Sequence, residues 1–247
     1  MKNLNILQLS VAAIVLLCVG TSCSTTSRVP DDDKLFTGLS KIEYVNYEKN
    51  DHFLSTQEEV EAALATAPNG SFFGSSYYRT IPYRLWIYNA FAGSESVLGR
   101  WITKSFGKAP VLLSGVNPTL RAKGLLRDRG YFGASVSFEE QTGRNPKKAK
   151  IGYVVNAGQL HTIDTLTYNG FPVEATALID STVSQSLVKP GDPFDVSSLD
   201  AERSRISTLF RNNGYYYYQP SYASYLADTL SENGKANMRL QLADNVP

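Results

Sequence analysis

Few side chains in this 247-residue chain could carry chemistry. His52 and His161 are the only histidines, and each stands alone. No H-E-x-x-H pair, G-x-S-x-G elbow, P-loop or G-x-G-x-x-G is present. Glu139-Glu140 is the one tempting carboxylate pair. On a strand, neighbouring side chains point to opposite faces, so these two cannot share a proton-transfer task. Tyr215-Tyr216-Tyr217-Tyr218 could form a stacking platform, but a strand with alternate rings in the core and at the surface explains it as well. Trp86 and Trp101 read as packing residues, with a partner-facing role the alternative. The sequence therefore offers no catalytic residue, no metal ligand set and no cofactor site.

Cys23 is different. A basic start (Met1-Lys2-Asn3) leads into an apolar run from Leu9 to Val19, too short to span a bilayer comfortably, and then into Gly20-Thr21-Ser22-Cys23. Small residues before a Cys at the end of such a run are the pattern of a lipoprotein signal, so residues 1–22 are expected to be removed and the Cys23 thiol lipidated. The other cysteine, Cys18, falls in the removed segment, which leaves no partner for a disulfide. The polar stretch that follows, with Asp31-Asp32-Asp33, reads as a flexible tether over residues 23–36, with an acidic sorting signal as the alternative.

The elements that must carry any function come from the composition and from a repeat. Hydrophobic residues make up 43% and charged residues 19%, which excludes wholesale disorder. With 24 basic against 23 acidic residues there is no general attraction to nucleic acid or to an anionic surface. Tyr is abundant, at 15 residues, as on half-buried strand faces. Arg127-Asp128-Arg129-Gly130-Tyr131-Phe132 echoes Arg211-Asn212-Asn213-Gly214-Tyr215-Tyr216, each closing a helical stretch and opening a strand-like one.

Around each hexad the order is strand, helix, helix, strand, strand. In the first copy the strands are 41–47, 134–141 and 148–156. One helix starts at a Ser55/Glu58 capping box. The other starts at Asn117-Pro118, with Leu120, Leu125 and Leu126 facing inward. In the second copy the strands are 162–168, 215–226 and 235–243. The helices cover 174–187 and a stretch capped by Ser197 and Asp200. Gly130 and Gly214 sit where left-handed helix ends belong. The fold class is α+β: two tandem β-α-α-β-β units, each a three-stranded mixed sheet with two helices on one face. The expected domains are 37–158, with an insertion at 69–116, and 159–247. Short helices are expected in the insertion at 85–91 and 97–106.

This element order, with Gly-Tyr-aromatic at the helix-to-strand junction, resembles the POTRA (polypeptide-transport-associated) domain of the BamA/TamA family of outer-membrane assembly proteins. Arg84-Leu85-Trp86-Ile87-Tyr88-Asn89, Gly107-Lys108-Ala109-Pro110-Val111-Leu112, residues 125–132 and Gly191-Asp192-Pro193-Phe194 are similar to Bacteroidetes-type lipidated members. The resemblance covers roughly residues 24–247. The family's C-terminal barrel has no counterpart before Pro247, so the chain is expected to be a fragment.

The resemblance implies a periplasmic role without catalysis. Unfolded outer-membrane proteins or assembly-machinery subunits would add a strand to an open sheet edge within 134–156 or 215–243 and pass on to the barrel. The mature domains would lie in the cell envelope, held at the outer membrane by lipidated Cys23 and the barrel. A stand-alone lipoprotein scaffold and a surface glycan-binding lipoprotein are the competing readings.

Overall fold

The computed structural model describes residues 25–230 and 233–244, so the signal segment, Cys23 and the chain end lie outside the described residues. The chain packs as two compact units. One holds the residues up to Glu43, Glu61–Leu120 and Ser137–Val154. The other holds Tyr44–Val60, Arg121–Val136 and everything from Val155 on. Among the described residues no helix is long and apolar enough to cross a membrane.

The elements are β1 (Leu35–Val45), α1 (Asp51–Leu64), α2 (Tyr83–Phe91), α3 (Val97–Phe106), α4 (Thr119–Asp128), β2 (Ser135–Thr142) and β3 (Lys148–Asn156). Then follow β4 (Thr162–Asn169), α5 (Val173–Ser181), α6 (Val196–Asn212), β5 (Ala223–Asp228) and β6 (Lys235–Leu242). There are two three-stranded mixed sheets, in the orders β1-β3-β2 and β4-β6-β5. This is the α+β arrangement expected of the repeat, with α2 and α3 as the extra helices of its first copy.

The central strands explain the cores. In β3 the alternate residues Ala149, Ile151, Tyr153 and Val155 are buried, and in β6 so are Ala236, Met238 and Leu240. β6 runs parallel to β4 and antiparallel to β5. Its buried face meets Ile179, Ile206 and Phe210 at one end and Ile163, Phe194 and Leu199 at the other. The helix α6 supplies Leu199, Ile206 and Phe210 from one stripe, as its spacing requires.

β1 departs from alternation. Residues 35–39 are buried on both faces, and only from residue 40 does one face open. The second cover comes from the insertion: Val29, Leu35, Leu85 and Leu112 form one apolar cluster. The expected tether over 23–36 is therefore too long. Val29 is 5% exposed and β1 starts at Leu35, because an apolar valine next to Pro30 finds a ready pocket. The acidic run is also engaged: Lys147 donates to Asp31 (2.6 Å), and the Ser114 hydroxyl bonds to Asp33.

Several local expectations shift for similarly local reasons. The cap of α1 is Asn50, whose side chain accepts from the Phe53 N–H (2.7 Å), rather than Ser55. The cap of α6 is Asp195, accepting from the Ser197 N–H (2.7 Å). Leu120 points outward at 81% exposure, since only Ala122 and Leu126 of α4 are fully buried. The helix expected over 174–187 ends at Ser181 and continues as a short 3-10 turn, Val183–Gln185.

Residues 215–222 are not strand. Gly214 (φ +100°) reverses the chain, the Tyr215 N–H returns to the Phe210 carbonyl (3.0 Å), and β5 begins only at Ala223.

The two repeat glycines make a test. Both have left-handed backbones, but a Cβ on Gly214 would meet nothing within 4 Å, whereas on Gly130 (φ +90°) it would lie 2.8 Å from the Phe194 carbonyl oxygen. Gly214→Ala should cost about 1 kcal/mol, the left-handed penalty alone, and Gly130→Ala about 3 kcal/mol. Urea unfolding of both variants checks the order; equal losses would mean that the Phe194 contact gives way freely.

Candidate functional site

An order of first, last, middle strand leaves two edges per sheet, and the structure treats them unequally. The outer side of β1 is occupied over its first half. Phe36 N–H donates to the Val111 carbonyl (2.8 Å), Leu113 N–H to that of Lys34 (2.8 Å) and Leu39 N–H to that of Ser76 (2.9 Å). Gly38 (φ +116°) permits this approach, because a Cβ there would sit 2.4 Å from the Ser76 oxygen. The start of β4 is likewise bonded to the 191–193 turn: Ile163 N–H to Asp192 O (2.8 Å) and Gly191 N–H to Ile163 O (2.7 Å).

β2 has no such cover. Among the described residues nothing bonds to its outer backbone, and every residue from Ser135 to Thr142 except Val136 is exposed. Phe138 stands half out of the surface at 51%. The ion pair from Lys34 to Glu140 holds that carboxyl below its ordinary range and pins the strand's end. In the second sheet β5, with six residues, and β4 beyond Ile163 are uncovered edges among the described residues. Of the two candidate regions, 134–156 thus contributes one edge (β2) and one central strand (β3), and 215–243 one edge (β5) and one central strand (β6). Sequence reasoning missed the cover on β1. Its signal was the apolar run Val111-Leu112-Leu113.

The four tyrosines line a groove of about 320 Å³ with Phe171, Phe210 and Leu242. Tyr218 goes inside, and burial pushes its hydroxyl up to about 12; Tyr216 and Tyr217 are 76% and 85% exposed. The groove is lined by apolar side chains and tyrosines, with no carboxylate among its lining residues.

Charged groups with altered acidity are all committed to structure. Arg129 bonds to Asp195 (2.5 Å) and pairs with Glu59. His52 Nε2 donates to the Arg129 carbonyl (2.8 Å). These groups, with the ring pair Phe132–Phe194, explain why residues 44–60 and 121–136 pack with the later part of the chain. Burial pushes the Asp195 carboxyl up, but the hydrogen bonds from Ser197 and the Arg129 charge outweigh it and hold the group below the ordinary range.

Glu202 is fully buried. Burial opposes its charge, and Arg205 (2.7 Å) with the Leu187 N–H (2.9 Å) overcomes that, fastening the turn after α5 to α6. A small cleft joins His52, Asp192 and Asp195, yet Asp192 accepts from the Lys189 N–H and Asp195 is spent on Arg129 and the helix cap. Among the described residues no group of His, Cys, Asp and Glu is placed to hold a metal ion.

No family model and no curated protein matches the chain. Among solved structures it is similar to BamA from Haemophilus ducreyi lacking POTRA domains 1–3, at 12% identity and a TM-score of 0.39, covering 84% of this chain and 29% of that one. It is also similar to POTRA3–5 of Haemophilus influenzae BamA (12% identity, TM-score 0.33, 88% of this chain and 100% of that one). A third is the N-terminal domain of Omp85 from Thermosynechococcus elongatus (12% identity, TM-score 0.36, 85% and 63%).

The Asp195 interaction has a pH signature. A depressed folded pKa stabilises fully above the unfolded carboxylate value, near 3.9, and the contribution is lost as pH falls through the lower folded value. Asn still caps a helix, so Asp195→Asn isolates the charge. The variant should be about 1–2 kcal/mol less stable at pH 7, with the gap closing below about pH 4. Urea midpoints across pH 3 to 7 measure it, and a constant gap would leave the charge without a role.

Proposed function

We propose that this chain is the periplasmic POTRA portion of an outer-membrane protein assembly or translocation factor. In this reading the signal is cut before Cys23, the Cys23 thiol carries lipid, and the two sheets stand in the periplasm. Unfolded β-rich clients, or subunits of the assembly machinery, bind by strand addition to β2 and pass to a barrel that this sequence does not include. The role is recognition without catalysis.

The observation that carries the reading is the asymmetry of the first sheet: the first half of β1 is occupied by residues 76 and 111–113, while β2 offers eight residues of unpaired edge. Exposed edges of this length are an aggregation hazard that folded proteins ordinarily blunt. One edge blunted and one left open is what a docking strand requires. Pairing through the backbone is tolerant of sequence, which suits clients that share alternation and little else.

Photo-crosslinking in cells tests this. A photoreactive residue at Glu139 or Gln141 of β2 should capture outer-membrane polypeptides during their synthesis. The same residue at Lys150, exposed but on the central strand β3, should capture few. Equal capture at Lys150, or none at any position, would sink strand addition at β2.

A further inference from the structure

The insertion at 69–116 seals β1 with only a few of its residues; the rest builds a surface of its own. Helix α3 presents an unusual face. At about 100° per residue, Val97, Trp101, Leu98 and Phe106 fall within one half of its circumference. All four are exposed, at 77%, 56%, 66% and 51%. The opposite side of the helix is the covered one: Gly99 is buried and Thr103, half-buried, bonds back to the Gly99 carbonyl within the helix (2.9 Å). Arg100 and Lys104 border the apolar arc on one side, both exposed.

A second apolar point lies in the same unit. Residues 71–79 form a small loop closed by a bridge between Ser71 and Arg79. At its tip Phe73 is 95% exposed and held at φ +47°, an uncommon backbone for a bulky residue. Its ring meets that of Phe72 edge-on, 4.5 Å away.

Charge names the occupant. Residues 69–116 carry five basic side chains against Glu95 alone, although the whole chain has 24 basic and 23 acidic residues. A helix with Trp, Phe and Leu on one face and Arg or Lys along its border is built to lie in a lipid interface. We propose that α3 and the Phe72–Phe73 tip rest on an anionic phospholipid surface, the apolar arc entering the acyl boundary and Arg100 and Lys104 meeting phosphate.

The chain path agrees, a point that rests on the lipid anchor proposed above. Val29 is fixed against Leu85 of α2, and six residues from Cys23 span at most about 20 Å. A lipid on Cys23 would therefore bring the membrane within reach of the insertion.

Bromolipid quenching of tryptophan fluorescence tests it, in the full chain reconstituted into vesicles of phosphatidylcholine with a minority of phosphatidylglycerol. Trp86 and Trp101 are the only tryptophans, so the difference between the chain and its Trp101→Phe variant reports Trp101 alone. The exposure of Trp101 makes that variant safe for folding. Trp101 emission should shift to the blue and lose most of its intensity on brominated lipid. Arg100→Glu with Lys104→Glu, or vesicles without phosphatidylglycerol, should restore much of it. If the chain floats with the vesicles while Trp101 stays unquenched and open to iodide, the anchor stands and this proposal falls. It falls equally if Trp101, unquenched in vesicles, crosslinks to a protein in cell envelopes.

Discussion

Parallel pairing between the first and last strands of each repeat is the constraint from which the rest follows. β4 and β6 run parallel in a register from Thr162 opposite Lys235 to Asn169 opposite Gln241. The ties of β1 to residues 147, 149 and 151 advance together in the same sense. Parallel neighbours cannot be joined by a tight turn, so the chain must cross over, and helices supply the crossover. The helices then cover one face. The strand just before the last is pushed to the outside of the sheet by its own hairpin. That leaves β3 and β6 to carry the buried alternation, and β2 and β5 to face solvent.

The insertion acts on that frame at one place. By covering the first half of β1 it changes five residues from alternating to continuous burial, and it shortens one of the two edges of the first sheet. The two edges of this sheet therefore differ in how much of their backbone is taken. β2 keeps its outer backbone free along its length, among the described residues, and its side chains on both faces are solvated. The buried ion pairs of the second compact unit serve rigidity. Arg129 and Glu202 hold helix ends and turns in place around that sheet.

The repeat, the α+β class and the central strands were legible in the sequence. They depend on short-range signals: a glycine that ends a helix, apolar residues two apart in Ile151, Tyr153 and Val155, and a turn between strands. The extra helices α2 and α3 were legible for the same reason. What escaped was long-range or polar. Which strand of each hairpin is an edge depends on a partner about a hundred residues away, so the candidate regions 134–156 and 215–243 each mixed an open strand with a closed one. The tyrosine run has every mark of strand propensity, yet Gly214 and the buried ring of Tyr218 bend it into a loop. Val29 looked like part of a tether because its pocket is assembled by Leu85 and Leu112 from elsewhere in the chain.

Asn69 closes the insertion. Its side chain donates to the Ala109 carbonyl (2.8 Å) and accepts from the Val111 N–H (2.6 Å), and it is buried at 5% exposure. One amide therefore brings together two points of the chain 40 residues apart and sets Val111 at its place beside β1. Between those points the chain touches the host sheet again at Ser76, beside Leu39, and at Leu85, beside Leu35, so only the stretches outside these contacts can be lengthened at the small cost of about 0.6 kcal/mol per doubling of a closed loop. The fold thus contains a grafting port. Exchange of the stretch that carries α3, Val97–Phe106, would leave the guard at Ser76, Leu85 and residues 111–113 in place.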